Sequence, residues 1–201
     1  MSKLRGRVME AFRTCLQGHY EDAFGAPLEQ SVWELVLPRL PRGSRAIVSH
    51  AEIPAWVDAQ AVEDVIDAVA AVAGVPLARE LGARVVETLF APTEDPAPEQ
   101  AMEHTISALI ELTQGYEFHF ERLEHVSGRL HLKTPCVTQS DISSDAWTGA
   151  IEALLRQHSQ SAWSLMEDVF VDDHGSTATF LCQWDAQVAS TRGANLERQA
   201  G

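Results

Sequence analysis

The hydrophobic pattern changes its period part-way along the chain, and that switch limits the folds open to it. Up to Gly115, apolar residues recur every three or four positions. In DAQAVEDVIDAVAAVAG, Val62, Val65, Ile66, Val69 and Val72 form one helical stripe that Gly74 stops. Pro76 opens a second helix, PLARELGARVVETLF, on which Leu77, Leu81, Val85 and Leu89 stack. Further helices are expected over residues 1–16, in LEQSVWELVLPRLP until Pro38 and Pro41 bend or end it, and in AMEHTISALIELTQG. After Gly115, YEFHFERL and RLHLKT alternate apolar and polar residues, the period of a strand with two unlike faces. DISSDAWTGAIEALLRQHS returns to helix, with Ser143 or Ser144 as the N-cap and Trp147, Ile151, Leu154 and Leu155 as the buried face. SAWSLMEDVFV and STATFLCQWD are two more strands, joined by the turn DDHG.

This order predicts an α+β fold: an N-terminal helical half packed on a C-terminal ββαββ antiparallel-sheet half. The expected divisions are a helical subdomain at 1–115, the sheet subdomain at 116–185 and a flexible tail at 186–201, forming one compact domain overall. Trp163, Leu165, Phe180 and Trp184 need burial, and the leading helices are the available cover.

Charge and composition narrow the partners. A net charge of −14 over 201 residues repels phosphate, so neither nucleic acid nor an anionic membrane is expected to bind. The N-terminal residues lack the apolar core of a signal peptide, and no apolar run is long enough to span a bilayer. Cys15, Cys136 and Cys182 are scattered with no CxxC pair, so the thiols are expected to be reduced and the protein cytoplasmic.

The stretch EFHFERLEHVSGRLHLKTP holds His119, His125 and His131. For Phe118, Phe120, Leu130 and Leu132 to share a face, even residues must pair with even. That requirement points to an odd loop, such as Val126-Ser127-Gly128 with Gly128 at positive φ. Glu117, His119 and Glu121 then oppose Arg129, His131 and Lys133 on a wet, charge-complementary face. The competing reading is a metal site, in which His125 would join His119 and His131 as ligands. No metal is expected. The chain has no GxSxG, HExxH or Walker loop. Glu167 and Asp168 are neighbours on a strand and point to opposite faces, Asp172 and Asp173 sit in a turn, and Cys182 lies in an apolar strand. No enzyme activity is expected.

Two stretches carry a family resemblance. VEDVIDAVAAVAGVPLARELGARVVETLF resembles the paired helices of the haem nitric-oxide/oxygen-binding (H-NOX) sensor fold, and WTGAIEALLRQHSQSAWSLMEDVFVDDHGSTATFLCQW resembles its closing helix and hairpin. The chain is also similar to vinyl-reductase-type domains and to an uncharacterised family of this size abundant in myxobacteria. That family has a Leu-Gly pair in the helix, here Leu81-Gly82, and an Ala-Thr-aromatic ending, here Ala178-Thr179-Phe180 before Trp184. H-NOX proteins hold haem through a proximal histidine and a Tyr-x-Ser-x-Arg motif. The corresponding strand here reads LHLKTPCV, and the histidine on offer is His104.

The resemblance implies a haem-free, non-enzymatic sensory module that binds a small apolar ligand between helices and sheet and signals to a protein partner or a second copy. The expected lining is Val65, Val69, Val85, Leu89, Phe118, Phe120, Leu165, Phe180 and Trp184, the same residues that a dry core would use. The alternatives are an adaptor or scaffold with a filled core, and a haem-based gas sensor using His104.

Overall fold

The computed structural model describes residues 2–18, 30–91, 98–135, 140–159 and 161–184. Cys136, the expected tail at 186–201 and part of the proline-rich loop lie outside them.

The chain opens with β1 (Lys3–Arg5) and α1 (Gly6–Leu16), then α2 (Val32–Val36) and α3 (Arg42–Val48). The first residues were expected to be helical. Instead β1 pairs with β2 (Trp56–Asp58) on one side and β3 (Thr113–Gln114) on the other. This small antiparallel sheet ties the chain start to the beginning of one helix and the end of another. Ser31 and Glu34 cap α2 reciprocally, and the helix tightens to a 3₁₀ turn at Leu37–Arg39, where Pro38 sits.

Two long helices follow. Asp58 caps α4 (Ala59–Ala73) by accepting from the Gln60 N–H at 3.0 Å. Gly74 ends it at φ 90°, and α5 (Val75–Leu89) starts at once with Pro76 in its first turn. After α6 (Ala101–Leu112) come β4 (Glu117–Glu124), β5 (Ser127–Pro135), α7 (Asp141–Arg156), β6 (Ala162–Asp172) and β7 (Gly175–Trp184). The main sheet is antiparallel, in the order β4-β5-β7-β6. The α+β architecture read from the sequence is the one observed. The N-cap of α7 is Ser140, whose hydroxyl accepts from the Ser143 N–H, rather than Ser143 or Ser144.

The register in the first hairpin pairs Phe118 with Leu132 and Phe120 with Leu130, even with even as required. The device differs from the expected one. His125 and Val126 form a two-residue turn, and a bulge at Leu123 corrects the parity. Gly128 is therefore a strand residue, and the described glycines at positive φ are Gly74, Gly115 and Gly175. A side chain at Gly128 would overlap the Phe120 ring.

In the second hairpin odd residues face odd: Trp163 lies opposite Gln183 and Leu165 opposite Leu181. Trp163 and Leu165 thus share the outer face, while Phe180 and Trp184 point inward and are buried. The four do not bury together, and Leu165 is 54% exposed. A bulge between Met166 and Asp168 also undoes the expected opposition of Glu167 and Asp168. Glu167 reaches Arg129 on the outer face, and Asp168 lies opposite Thr179 on that same face.

Of the helices, α7 makes the most extensive contact with the sheet, chiefly with β6, and a still larger one with α5. The second contact depends on two glycines. A Cβ on Gly82 would overlap the Ala146 carbonyl oxygen and lie 2.8 Å from its carbon, and one on Gly149 would meet Arg79 in the same way, 2.9 Å from its carbonyl carbon. Each helix contributes the glycine that admits the other's backbone. Arg79 then donates to Glu152 at 2.6 Å and to the Ser164 carbonyl at 3.1 Å, joining α5, α7 and β6. Gly82→Ala should lower unfolding free energy by about 2–3 kcal/mol in urea titrations. Gly43→Ala, in an exposed helix with nothing within 4 Å, should instead raise it by up to about 1 kcal/mol.

Candidate functional site

Five helices and β1 line a partly open cavity of about 50 Å³ on the helical side of the molecule. Thirteen of the fourteen residues lining it are apolar, among them Phe12, Ile66, Val85, Leu109 and Trp147. Gly82, Ala146 and Ala150 line it as well, so the glycine seam between α5 and α7 forms part of its wall. At roughly 10–15 Å³ per water-sized probe, it has room for a few heavy atoms.

The polar exception is Glu63. Its place on α4 beside Val62 and Ile66 turns it inward with the apolar stripe, and it is 2% exposed. Its pKa is raised from 4.5 to about 7: burial is the largest cause, the Ser143 and Trp147 side chains pull it back, and the charges of Asp67 and Asp64 push it up. Its Oε2 has no hydrogen-bond partner among the described residues. Neither has the buried Tyr116 hydroxyl, whose pKa is raised by burial and then by the charges of Glu63 and Asp58. The Tyr116 ring lies 5.7 Å from that of Trp147. Sequence reading passed over Glu63, although an acid within a stripe that buries its neighbours was the available signal.

Of the nine residues expected to line a pocket, Val85 lines this one. Val65, Val69, Phe180 and Trp184 are buried in the common core, and Leu89, Phe118 and Phe120 pack against it half-buried. Leu165 stands outside on the wet face. The cavity lies among the helices rather than between helices and sheet.

The histidines divide. His119 and His131 stack across the hairpin with centroids 5.8 Å apart, and His131 Nδ1 meets Thr179 Oγ1 at 3.1 Å. Lys133 pairs with Glu117 at 3.2 Å, and Arg129 bonds Glu167 at 2.7 Å. His125 is exposed in the turn, six positions from either. Among the described residues no three His, Cys, Asp or Glu side chains gather as metal ligands. The exposed His104 on α6 lies against His158, Nδ1 to Nε2 3.2 Å, and the pKa of His158 is lowered by burial and by His104. Burial holds the Cys182 thiol up at about 12 and raises that of Cys15, so both stay protonated at neutral pH. No helix among the described residues is long and apolar enough to cross a membrane.

Solved structures with this arrangement exist. The chain has an H-NOX-like fold. It aligns with the Fe(II) unliganded H-NOX protein from K. algicida at TM-score 0.54 and 15% identity, covering 92% of this chain and 98% of the other. A Cs H-NOX carrying 4-cyano-L-phenylalanine gives 0.56 at 12% identity, covering 92% and 98%. A structure from a study of heme distortion in the H-NOX family gives 0.56 at 11%, covering 92% and 97%. No protein-family model matches the sequence, and no curated protein does.

Glu63 makes stability depend on pH. The folded chain retains a proton there that the unfolded chain releases near pH 4.5. The stability it contributes is complete below that pH and is lost as the pH rises through about 7, where the folded carboxyl ionises. The gap corresponds to roughly 3 kcal/mol. Urea titrations from about pH 4 to pH 8 should show this decline in the wild type and its loss in Glu63→Gln; equal slopes would show that Glu63 is not the titrating group.

Proposed function

We propose that this chain is a haem-free sensory module whose small ligand occupies the cavity at the α5–α7 seam. The observation that carries this reading is a partly open, apolar cavity lined by one buried carboxyl with an unpartnered oxygen, inside an H-NOX-like fold. A ligand there would bear directly on Gly82, Ala146 and Ala150, where the two helices touch. Through Ser164, which donates to the Thr148 carbonyl at 3.1 Å, a shift of α7 would reach β6. Catalysis forms no part of the proposal, because no nucleophile is paired with a base in the cavity.

The residues do not suit haem. The cavity lining has no histidine, cysteine or tyrosine, its volume is far below that of a porphyrin pocket, and His104 lies outside it against His158. The strand β5 carries Leu130, His131, Leu132, Lys133 and Thr134 rather than a Tyr-x-Ser-x-Arg run. The unpaired thiols Cys15 and Cys182 support residence in the cytoplasm.

Exposed apolar side chains on β6 favour a protein partner at the output end. Trp163, Leu165 and Phe170 are 42%, 54% and 62% exposed along an edge strand.

Native mass spectrometry of the purified chain should show a bound small molecule, and haem titration should give no Soret band. A bare mass, with no thermal shift across a panel of small organic compounds, would favour the filled scaffold. A Soret band that His104→Ala abolishes would restore the gas sensor. If the partner is a second copy, light scattering should show a mass that rises with concentration and that Leu165→Lys returns to the monomer; an unchanging monomer would assign the face to another protein.

A further inference from the structure

Glu63 poses a specific chemical question. A buried carboxyl is ordinarily answered by a base, by a shared proton or by hydrogen-bond donors. Glu63 Oε2 has no partner, although its side chain is almost wholly buried and lines the cavity. The charges that act most strongly on it, those of Asp67 and Asp64, are acidic. Tyr116, coupled to the charges of Glu63 and Asp58, holds a second unpartnered polar atom. An anion entering here would meet only repulsion. A neutral alcohol would satisfy one oxygen and leave the negative charge unbalanced.

A cation meets both needs. An ammonium group has three N–H donors, enough to satisfy Glu63 Oε2, and it carries the opposite charge. The cavity also offers aromatic faces, those of Trp147 and Phe12, which attract cations. The remaining walls, Ile66, Val85 and Leu109 among them, accept only hydrocarbon. A net charge of −14 raises the local concentration of cations.

We propose that the cavity is a site for a small primary alkylammonium ion, its nitrogen held by Glu63 and its short tail among the α4, α5 and α6 side chains. The assignment rests on the reading of this cavity as a ligand site and specifies the class of ligand. The volume admits a tail of a few carbons.

The test uses the full chain and three probes of equal length: n-propylammonium chloride, n-propanol and sodium propionate, at matched ionic strength. Binding is followed by calorimetry and thermal shift at about pH 8 and about pH 5.5, on either side of the Glu63 titration near 7. Propylammonium should bind at least about tenfold more tightly than propanol at the higher pH, the worth of one charge-assisted hydrogen bond. That preference should shrink at the lower pH, where the carboxyl is protonated, and should vanish in Glu63→Gln. Equal affinity for the alcohol and the ammonium ion, or an ammonium preference that survives Glu63→Gln, would overturn the cation assignment while leaving the ligand cavity standing. Failure of all three probes to bind would remove both. Should Glu63→Gln not fold by circular dichroism, the pH comparison on the wild type decides the matter.

Discussion

Backbone touching backbone at the α5–α7 seam sets the position of most of the other elements. Gly82 admits the Ala146 carbonyl and Gly149 admits that of Arg79, so the two helices lie closer than any pair with facing side chains could. Close approach on one side brings α7 over the sheet on another, where Thr148 accepts from Ser164 of β6. It also leaves Ala146, Trp147 and Ala150 as one wall of the cavity. Arg79 and Glu152 clasp the seam at its edge, and Arg156 joins the same carboxylate. A helix packed this tightly has few alternative positions.

The cavity works against the stability that the seam provides. An apolar void forfeits dispersion contacts, and a carboxyl buried without a base adds a penalty that grows as it ionises. Both would be relieved by leucine or methionine at position 63, and the chain carries glutamate there. Tyr116 repeats the pattern with a buried hydroxyl that satisfies nothing. Of the two, Glu63 lies on the wall of the apolar space itself.

On the far side of the sheet the same chain presents a different surface. Glu117, His119 and Glu121 face Lys133, His131 and Arg129 across β4 and β5, a mixed-charge surface worth little to stability and well suited to water. Along β6 the character changes: Trp163, Leu165 and Phe170 stand exposed at the sheet edge. The histidines that first invite a metal reading are absorbed by stacking and by Thr179, while the apolar edge stands uncovered among the described residues.

The switch from helical spacing to alternation, Gly74 and Pro76 as a joint, and the parity of Phe118, Phe120, Leu130 and Leu132 made the α+β order and the first register legible without coordinates. These are short-range properties: each depends on residues a few positions apart. The N-terminal strand β1 was invisible, because three residues pair with partners more than fifty positions away. The bulges at Leu123 and Glu167 were equally hidden, and they decided the loop length in one hairpin and the facing of two acids in the other. Leu165 read as core because an alternating strand does not reveal which of its faces the rest of the chain will cover. Local pattern determined the elements and their periods. Tertiary packing alone decided which faces were buried, where the glycines let two helices touch, and that Glu63, one acid among twenty-nine, should close on an apolar cavity, because burial and desolvation are set by every element that packs around a side chain.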